Sequence, residues 1–263
     1  MDLGIKDRVA IVAASSKGLG KATALGLAKE GVKLTICARD RDTLFKAADN
    51  IISETSTDVF PIVCDVSKTD DIKKVVKETI NKYDKVDILI NNAGGPPTGT
   101  FLDFTLKDWQ KAIELNLFSA ITFSNEVIPF MKENNWGRIV NLTSYTVKQP
   151  VDGLLLSNTI RAGIIGLAKT ISNEFGPYNI LVNNICPGRI FTDRITFLAN
   201  DRAEKQGKSF DEIISEMGSD VPLGRIGKPE ELANLAVFLA SERASYITGT
   251  TILVDGGLTK GLM

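Results

Sequence analysis

Two serines and an arginine in the middle of the chain have types and a spacing that could do chemistry. Ser157 and Arg161 are four residues apart in a helix-like stretch, so they lie on one face, one turn apart. Ser144 follows the apolar strand Arg138–Leu142, whose end brings it near that face. Because a guanidinium does not deprotonate, any proton transferred here must come from a hydroxyl or from water.

The composition excludes several kinds of catalytic site. The 263 residues are 43% hydrophobic and 24% charged, which is ordinary for a folded soluble protein with a sizeable core. The net charge is −1 and no basic patch stands out, so no nucleic-acid partner is predicted. The sequence has no histidine, which excludes Ser-His-Asp and Cys-His catalysis and histidine-ligated metals. We predict no metal site.

The N-terminus and the cysteines indicate where the protein works. No basic segment followed by a long apolar run opens the chain, and no apolar run approaches the roughly 20 residues of a membrane span. Cys37, Cys64 and Cys186 stand singly in apolar runs, which is typical of buried free thiols. We predict a cytoplasmic protein with no membrane partner.

Short apolar runs alternate with amphipathic segments from end to end. The predicted strands are Arg8–Ala13, Lys33–Cys37, Val59–Cys64, Val86–Ile90, Arg138–Leu142, Ile180–Cys186 and Thr251–Val254. The predicted helices are Gly18–Gly31, Asp42–Thr55, Thr69–Tyr83, Trp109–Asn134, Leu154–Phe175 and Glu230–Ala240. This alternation predicts an α/β fold, one domain over residues 1–263, with a parallel sheet and helices on both faces.

Ligands of such sheets lie beyond the carboxyl ends of the strands, so the residues that follow each strand matter most. After the first strand, a turn of small residues opens a helix; it contains Ala14, Ser16, Lys17, Gly18, Leu19 and Gly20. Backbone amides and a helix N-terminus there could bind a pyrophosphate, although small residues also make ordinary turns.

The next strands are also followed by polar residues. Arg39 suits an adenosine 2′-phosphate, and Lys17 could add charge on the same side, although a single arginine is often only surface charge. Asp65, before Val66, could accept from an adenine amino group. A tight turn, Asn91–Gly94, follows the fourth strand and contains Asn92 and Ala93.

Together these motifs resemble the short-chain dehydrogenase/reductase family, and within it the 3-oxoacyl-(acyl-carrier-protein) reductase-like group. The resemblance covers about residues 5–258. Besides the stretches already named, it depends on Asn116 in LNLF, Pro187-Gly188 with Thr192, Pro222–Glu231, Ile247–Gly249 and Val254–Gly257.

The resemblance implies a Rossmann-type doubly wound sheet, a homotetramer or homodimer, and a small carbonyl, alcohol or acyl-thioester substrate. It implies a nicotinamide cofactor whose nicotinamide end is held by Pro187, Gly188, Ile190 and Thr192, and a substrate lid over about residues 193–221. The basic residues Lys17 and Arg39 favour NADP(H) over NAD. Asn116, Ser144, Ser157 and Arg161 correspond to the catalytic set, and Arg161 also to the residue that grips the cofactor ribose.

Two departures from the family pattern stand out. Its glycine turn usually begins Thr-Gly, where this chain has Ala13-Ala14, so the Ala14 methyl is expected to crowd the cofactor if the backbone needs a positive φ. Its Tyr-x-x-x-Lys pair, thirteen residues after the serine, falls on Ser157 and Arg161. The leading hypothesis is therefore an NADP(H)-dependent oxidoreductase with an atypical proton donor.

Two alternatives stay open at the sequence level. The first is a catalytically silent protein that binds NADP(H) as a sensor or serves as a structural subunit. The second is related chemistry without hydride transfer to a carbonyl, which nothing in the sequence selects. Tyr145 could donate a proton, although a loop aromatic packed near the pocket mouth is the more economical interpretation.

Overall fold

The protein is described by a computed structural model, which covers residues 1–262. Seven parallel strands form one sheet in the order β3-β2-β1-β4-β5-β6-β7. The strands are β1 Val9–Val12, β2 Lys33–Ala38, β3 Val59–Val63, β4 Ile88–Asn91, β5 Gly137–Leu142, β6 Ile180–Pro187 and β7 Thr251–Val254. The predicted fold class, a single-domain α/β protein with a doubly wound parallel sheet, is confirmed.

Helices cover both faces of this sheet. They are α1 Gly18–Lys29, α2 Arg41–Thr55, α3 Thr69–Tyr83, α4 Leu106–Ile113, α5 Ser119–Glu133, α6 Leu155–Phe175, α7 Asp193–Gln206, α8 Phe210–Ser219 and α9 Pro229–Leu239. Across residues 1–262, none of the helices is both long and apolar enough to cross a membrane.

The buried side chains form one large cluster on each face of the sheet. One cluster joins α1, α2 and α9 to the strands and includes Leu27, Leu44 and Leu232. The other joins α3, α5 and α6 to the opposite face and includes Val75 and Phe123. Both faces are thus dry, which explains why the strands are continuous apolar runs rather than alternating ones.

The strand order reverses at β1, because β2 lies on one side of it and β4 on the other. The turns that leave β1 and β4 therefore diverge to opposite faces, and a crevice opens between them at the carboxyl edge. In open α/β sheets this switch point is where ligands bind. The glycine turn and the Asn91–Gly94 turn flank it.

The single helix predicted over Trp109–Asn134 is partly wrong. Helical structure begins earlier, at Leu106, where Thr105 and Asp108 form a capping box. A π-helical turn, Glu114–Phe118, separates α4 from α5. Such a turn holds an extra residue and commonly lies at functional sites, and this one contains Asn116.

The segment predicted as a substrate lid, about residues 193–221, contains α7 and α8. These two helices pack on each other through a small apolar cluster of their own, which includes Ile195, Ala199, Ile213 and Met217. The role of this segment as a lid stays a prediction.

A row of buried side-chain amides crosses the sheet near its carboxyl edge. Asn91, Asn141, Asn184 and Thr251 are register partners on β4, β5, β6 and β7. Each amide Nδ2 donates to the next side chain along the row, at 2.8, 2.9 and 3.1 Å. This asparagine ladder fixes the register of four strands directly beneath the crevice.

We predict that Asn141→Ala destabilises the fold by about 2–4 kcal/mol, because it removes two buried hydrogen bonds. Asn91 Nδ2 keeps only its 3.3 Å bond to the Ser124 hydroxyl, and the Oδ1 acceptor of Asn184 loses its partner. Urea unfolding measures the change. Asn50→Ala, at an exposed position on α2, is the control and should change stability by less than about 0.5 kcal/mol. Equal losses in the two variants would contradict the role of the ladder.

Candidate active site

A cavity of about 1010 Å³ lies at the carboxyl edge, between the crevice and α7. It brings together most of the predicted site residues. They are Ala14, Ser16, Lys17, Gly18, Leu19, Arg39, Val66, Asn92, Ala93, Gly94, Ser144, Ser157, Arg161, Pro187, Gly188, Ile190 and Thr192. Gly20, Asp65 and Asn116 are not among the residues that line it.

The glycine turn presents the N-terminus of α1 to this cavity. Gly18 has φ +57°, and a Cβ there would lie 3.5 Å from the Thr192 side chain, so the turn packs against the β6 loop. No side chain caps α1, and its first turn has no acidic residue. The exposed amides and the positive end of the helix dipole thus suit an anion.

Gly20 has a packing role, and its predicted cofactor contact stays a prediction. A Cβ at this position would lie 2.5 Å from the Ala14 carbonyl oxygen and 2.8 Å from Asn92 Nδ2. Its absence lets that Nδ2 donate to the carbonyls of Ala13 at 3.2 Å and Ala14 at 3.0 Å. Asn92 therefore ties the β4 turn to the β1 turn.

Ala14 adopts φ +46° at the cavity wall, a left-handed conformation that is unfavourable for a residue with a Cβ. The sequence predicts that the Ala14 methyl crowds the cofactor if the backbone needs a positive φ here, and the backbone does have a positive φ. The departure from glycine therefore introduces local strain beside the predicted adenosine site.

The two basic residues predicted near the 2′-phosphate differ in their surroundings. Lys17 Nζ lies 2.6 Å from Asp193 Oδ2, so this ion pair links the glycine turn to the start of α7. Arg39 is exposed at the cavity edge, and within residues 1–262 no carboxylate pairs with it. Arg39 is thus the residue ready to bind an anion at that end.

The Asp65 carboxylate is engaged in its own loop. Its Oδ1 accepts from the Ser67 amide at 3.1 Å and the Ser67 hydroxyl at 2.8 Å. Val66, the next residue, lines the cavity. The structure places Asp65 as an organiser of this loop, and its contact with an adenine stays a prediction.

Ser144 and Ser157 are joined through a threonine that sequence reasoning missed. Ser144 Oγ accepts from the Thr146 amide at 3.2 Å, and Thr146 Oγ1 lies 3.4 Å from Ser157 Oγ. Thr146 and Ser157 are buried, at 2% and 7% exposure. The only sequence signal for this role was the Thr146 hydroxyl itself, which lies in the short 3-10 turn Tyr145–Val147.

Arg161 is buried and bonded to backbone at the ends of two strands. Its Nη1 donates to the carbonyls of Thr143 at 2.6 Å and Leu142 at 3.3 Å, and its Nη2 to that of Ala93 at 3.4 Å. Burial, and then the like charge of Arg194, lower the pKa of Arg161 to about 10. The guanidinium stays charged at neutral pH.

Asn116 lies behind Arg161 in a separate small cavity. Its Nδ2 donates to the Ala112 carbonyl at 3.2 Å. The Oδ1 atoms of Asn116 and Asn91 and the Nε of Arg161 are buried with no hydrogen-bond partner among the described residues. The side chains of all three line a space of about 10 Å³, whose size and mixed donors and acceptors suit one water.

Tyr145 lines the cavity beside Ser144. Burial raises the pKa of its phenol, so the hydroxyl is protonated at neutral pH. The three cysteines are buried free thiols, as the sequence predicts.

The parallel sheet has a cavity at its switch point, a helix N-terminus suited to an anion, and a polar cluster at the ends of the next strands. Together these features define a nucleotide-binding α/β protein. A family model described as enoyl-(acyl carrier protein) reductase matches residues 13–259. The chain belongs to the short-chain dehydrogenase/reductase family.

Individual relatives agree with this assignment. A 3-oxoacyl-[acyl-carrier-protein] reductase of Aquifex aeolicus is 33% identical, over 98% of this chain and 100% of its own. The crystal structure of L-sorbose reductase from Gluconobacter frateurii, complexed with NADPH and L-sorbose, superposes with a TM-score of 0.95 at 33% identity and covers both chains fully. A 7α-hydroxysteroid dehydrogenase complexed with NADH has a TM-score of 0.88 at 30% identity, over 100% of this chain and 98% of its own.

We predict that Ala14→Gly stabilises the protein by about 0.5–1 kcal/mol, because relief of left-handed strain exceeds the added entropy of the unfolded chain. Urea unfolding tests the change. Ala13→Gly is the matched control, since Ala13 is buried at the adjacent position and is not among the described residues with positive φ. That variant should lose about 1 kcal/mol or more. A loss in both would contradict strain at Ala14.

Proposed function

We propose that the protein is an NADP(H)-dependent oxidoreductase that interconverts a carbonyl and an alcohol. One observation carries this proposal: a single cavity runs from Arg39 and the glycine turn to Ser144, Ser157 and Arg161. A dinucleotide can thus extend from Arg39, which pairs with no carboxylate within residues 1–262, to the polar cluster. Family membership supports the same class of reaction.

The residues of the cavity fit the cofactor. Ser16, Gly18 and Leu19 would face its pyrophosphate, and Arg39 its 2′-phosphate. The backbone of Pro187, Gly188 and Ile190, with Thr192, would hold the nicotinamide end, and Asn92, Ala93 and Gly94 would line the ribose side. When bound, the cofactor supplies or accepts the hydride.

We propose that Ser157 and Arg161 occupy the places of the family's tyrosine and lysine. A lysine there lowers the tyrosine pKa, so that the phenol can donate a proton. Ser157 is a weaker acid with a shorter side chain, and Arg161 keeps the charge without releasing a proton. Because general acid catalysis contributes ~10²–10⁴-fold, turnover should be slow and should use a water or hydroxyl donor.

A silent NADP(H)-binding sensor or structural subunit is the second candidate. It is favoured by the contacts of Arg161, whose Nη groups donate to three backbone carbonyls. An arginine used in this way stabilises the strand ends and leaves little capacity for catalysis. Turnover separates this candidate from the first.

We further propose a substrate lid over about residues 193–221 and a homodimer or homotetramer. The lid corresponds to α7 and α8, which cover the cavity. Gly163, Gly166 and Thr170 form an exposed, smooth face of α6 that suits a partner helix. The cytoplasmic location stays a prediction.

Arg39→Gln should weaken NADPH binding by about tenfold or more and leave NADH binding within about twofold, because a charge-assisted contact with the 2′-phosphate is lost. Fluorescence titration with each nucleotide measures both affinities. Arg41→Gln is the control, since Arg41 stacks on Phe45 at 4.6 Å and does not line the cavity. NADPH binding that is insensitive to Arg39 would contradict the NADP preference, and no nucleotide binding would contradict the function.

The double variant Ser157→Tyr with Arg161→Lys should oxidise NADPH about tenfold faster or more than the natural protein, because it restores a phenol beside a lysine. Absorbance at the NADPH band, with a panel of ketones and 3-oxoacyl compounds, measures the rate.

The natural protein is assayed in parallel, with each single variant as a control. Tight NADPH binding without turnover on any substrate would favour the silent candidate. An unchanged rate in the double variant would show that the pocket differs from the family by more than these two side chains.

A further inference from the structure

The basic side chains around the cavity divide into two groups. Lys17, Arg189, Arg202 and Lys205 each lie 3.1 Å or closer to a carboxylate, so their charge is compensated within the chain. Ion pairing within 4 Å is absent at Arg39, Arg161 and Arg194 for the residues that the structure describes. Arg39 lies at the proposed adenosine end, so Arg161 and Arg194 are the uncompensated charges at the other end.

Arg194 is held against the β4 loop by backbone contacts, and its guanidinium also lies 5.5 Å from the Phe197 ring. Its Nη2 donates to the Pro96 carbonyl at 2.9 Å. A Cβ on Gly95 would lie 2.8 Å from Arg194 Nε and 2.9 Å from Cζ, so the guanidinium rests directly on the glycine. Pro96 is the only hydrogen-bond acceptor of Arg194 within the described part of the chain, which leaves most of its five N–H groups available.

The two guanidiniums oppose each other electrostatically. Burial lowers the pKa of Arg194, and the like charge of Arg194 contributes to the lowered pKa of Arg161. Arg161 is buried and Arg194 is partly buried, and neither pairs with a carboxylate within 4 Å among the described residues. Two such charges are costly, and an anion bound near both would offset the cost. Both side chains line the main cavity, where such an anion has room.

Apolar side chains also line this cavity. Val151, Leu154, Leu198 and Met217 line it together with Arg194. A ligand that satisfies this lining carries a carboxylate and a short apolar chain. The proposed pyrophosphate site lies elsewhere, at the N-terminus of α1.

We propose that Arg194, supported by the charge of Arg161, binds a carboxylate of the substrate, so that the substrate is a hydroxy or oxo acid rather than a thioester. That the acid carries a carbonyl or an alcohol rests on the proposed function. Its carboxylate is inferred from Arg161 and Arg194, which pair with no carboxylate among the described residues. Arg194 is thus the residue that determines specificity.

Calorimetric titration of the NADPH complex with racemic 3-hydroxyhexanoate, and with its methyl ester, tests the proposal without turnover, because NADPH and the alcohol do not react. The acid should bind about 10–100-fold more tightly than the ester, the range of charge-assisted hydrogen bonds. Arg194→Gln should reduce this preference to about twofold or less, and Arg194→Lys should retain part of it. Arg202→Gln is the control on the same helix, since Arg202 is paired with Glu216.

Three results would overturn the proposal. The first is no preference for the acid in the natural protein, including no binding of either ligand. The second is an equal loss of acid and ester binding in Arg194→Gln, which would show that Arg194 only holds the Gly95–Pro96 backbone. The third is weaker NADPH binding in that variant with the acid preference intact, which would assign Arg194 to the cofactor phosphates.

NADPH binding and oxidation are measured separately, and the titration is repeated without NADPH. A protein that prefers the acid but fails to bind or oxidise NADPH would refute the proposed function while retaining the carboxylate site.

Discussion

The architecture of this site depends on how buried carbonyl groups are satisfied where the strands of a parallel sheet stop pairing. Strand ends that diverge into turns lose their ladder partners, yet here they lie beneath a cavity and largely out of water. Side-chain donors replace the missing partners. Asn92 bonds the β1 turn, and Arg161 bonds both the end of β5 and the turn after β4. The walls of the crevice are therefore joined by the same residues that face it.

This requirement explains what an arginine offers at position 161. A guanidinium has five donors in a fixed fork, which can reach carbonyls on two strands at once, while a lysine ammonium is a compact point charge. The guanidinium does not relay a proton, because it stays charged at neutral pH. Arg161 thus holds the strand edge firmly, and the asparagine ladder just below strengthens that edge further.

Most of the fold could be predicted from sequence, because continuous apolar runs and glycine-marked turns are local signals. Thr69–Tyr83 and Thr251–Val254 were predicted to the residue. The π-helical turn at Asn116 was missed, since an extra residue within a helix leaves the apolar period nearly unchanged. Contacts between distant segments were also missed: the Thr146 bridge to Ser157 and the placement of Arg194 on Gly95 depend on tertiary packing. The close packing of Gly20 against Ala14 and Asn92 depends on tertiary structure in the same way.

The charge balance of the cavity connects these features. Of its seven basic side chains, four are paired with carboxylates, and Arg39, Arg161 and Arg194 have no such partner within residues 1–262. Arg39 is exposed, so water screens it and its charge costs little. Arg161 is buried and Arg194 is partly buried, and burial of such charges is costly unless backbone carbonyls or a ligand compensate it. Backbone carbonyls accept three hydrogen bonds from Arg161 but leave its Nε without a partner among the described residues. They accept only one hydrogen bond from Arg194. The donors that lack an acceptor among the described residues therefore belong mainly to Arg194 on α7, at the proposed substrate end of the cavity.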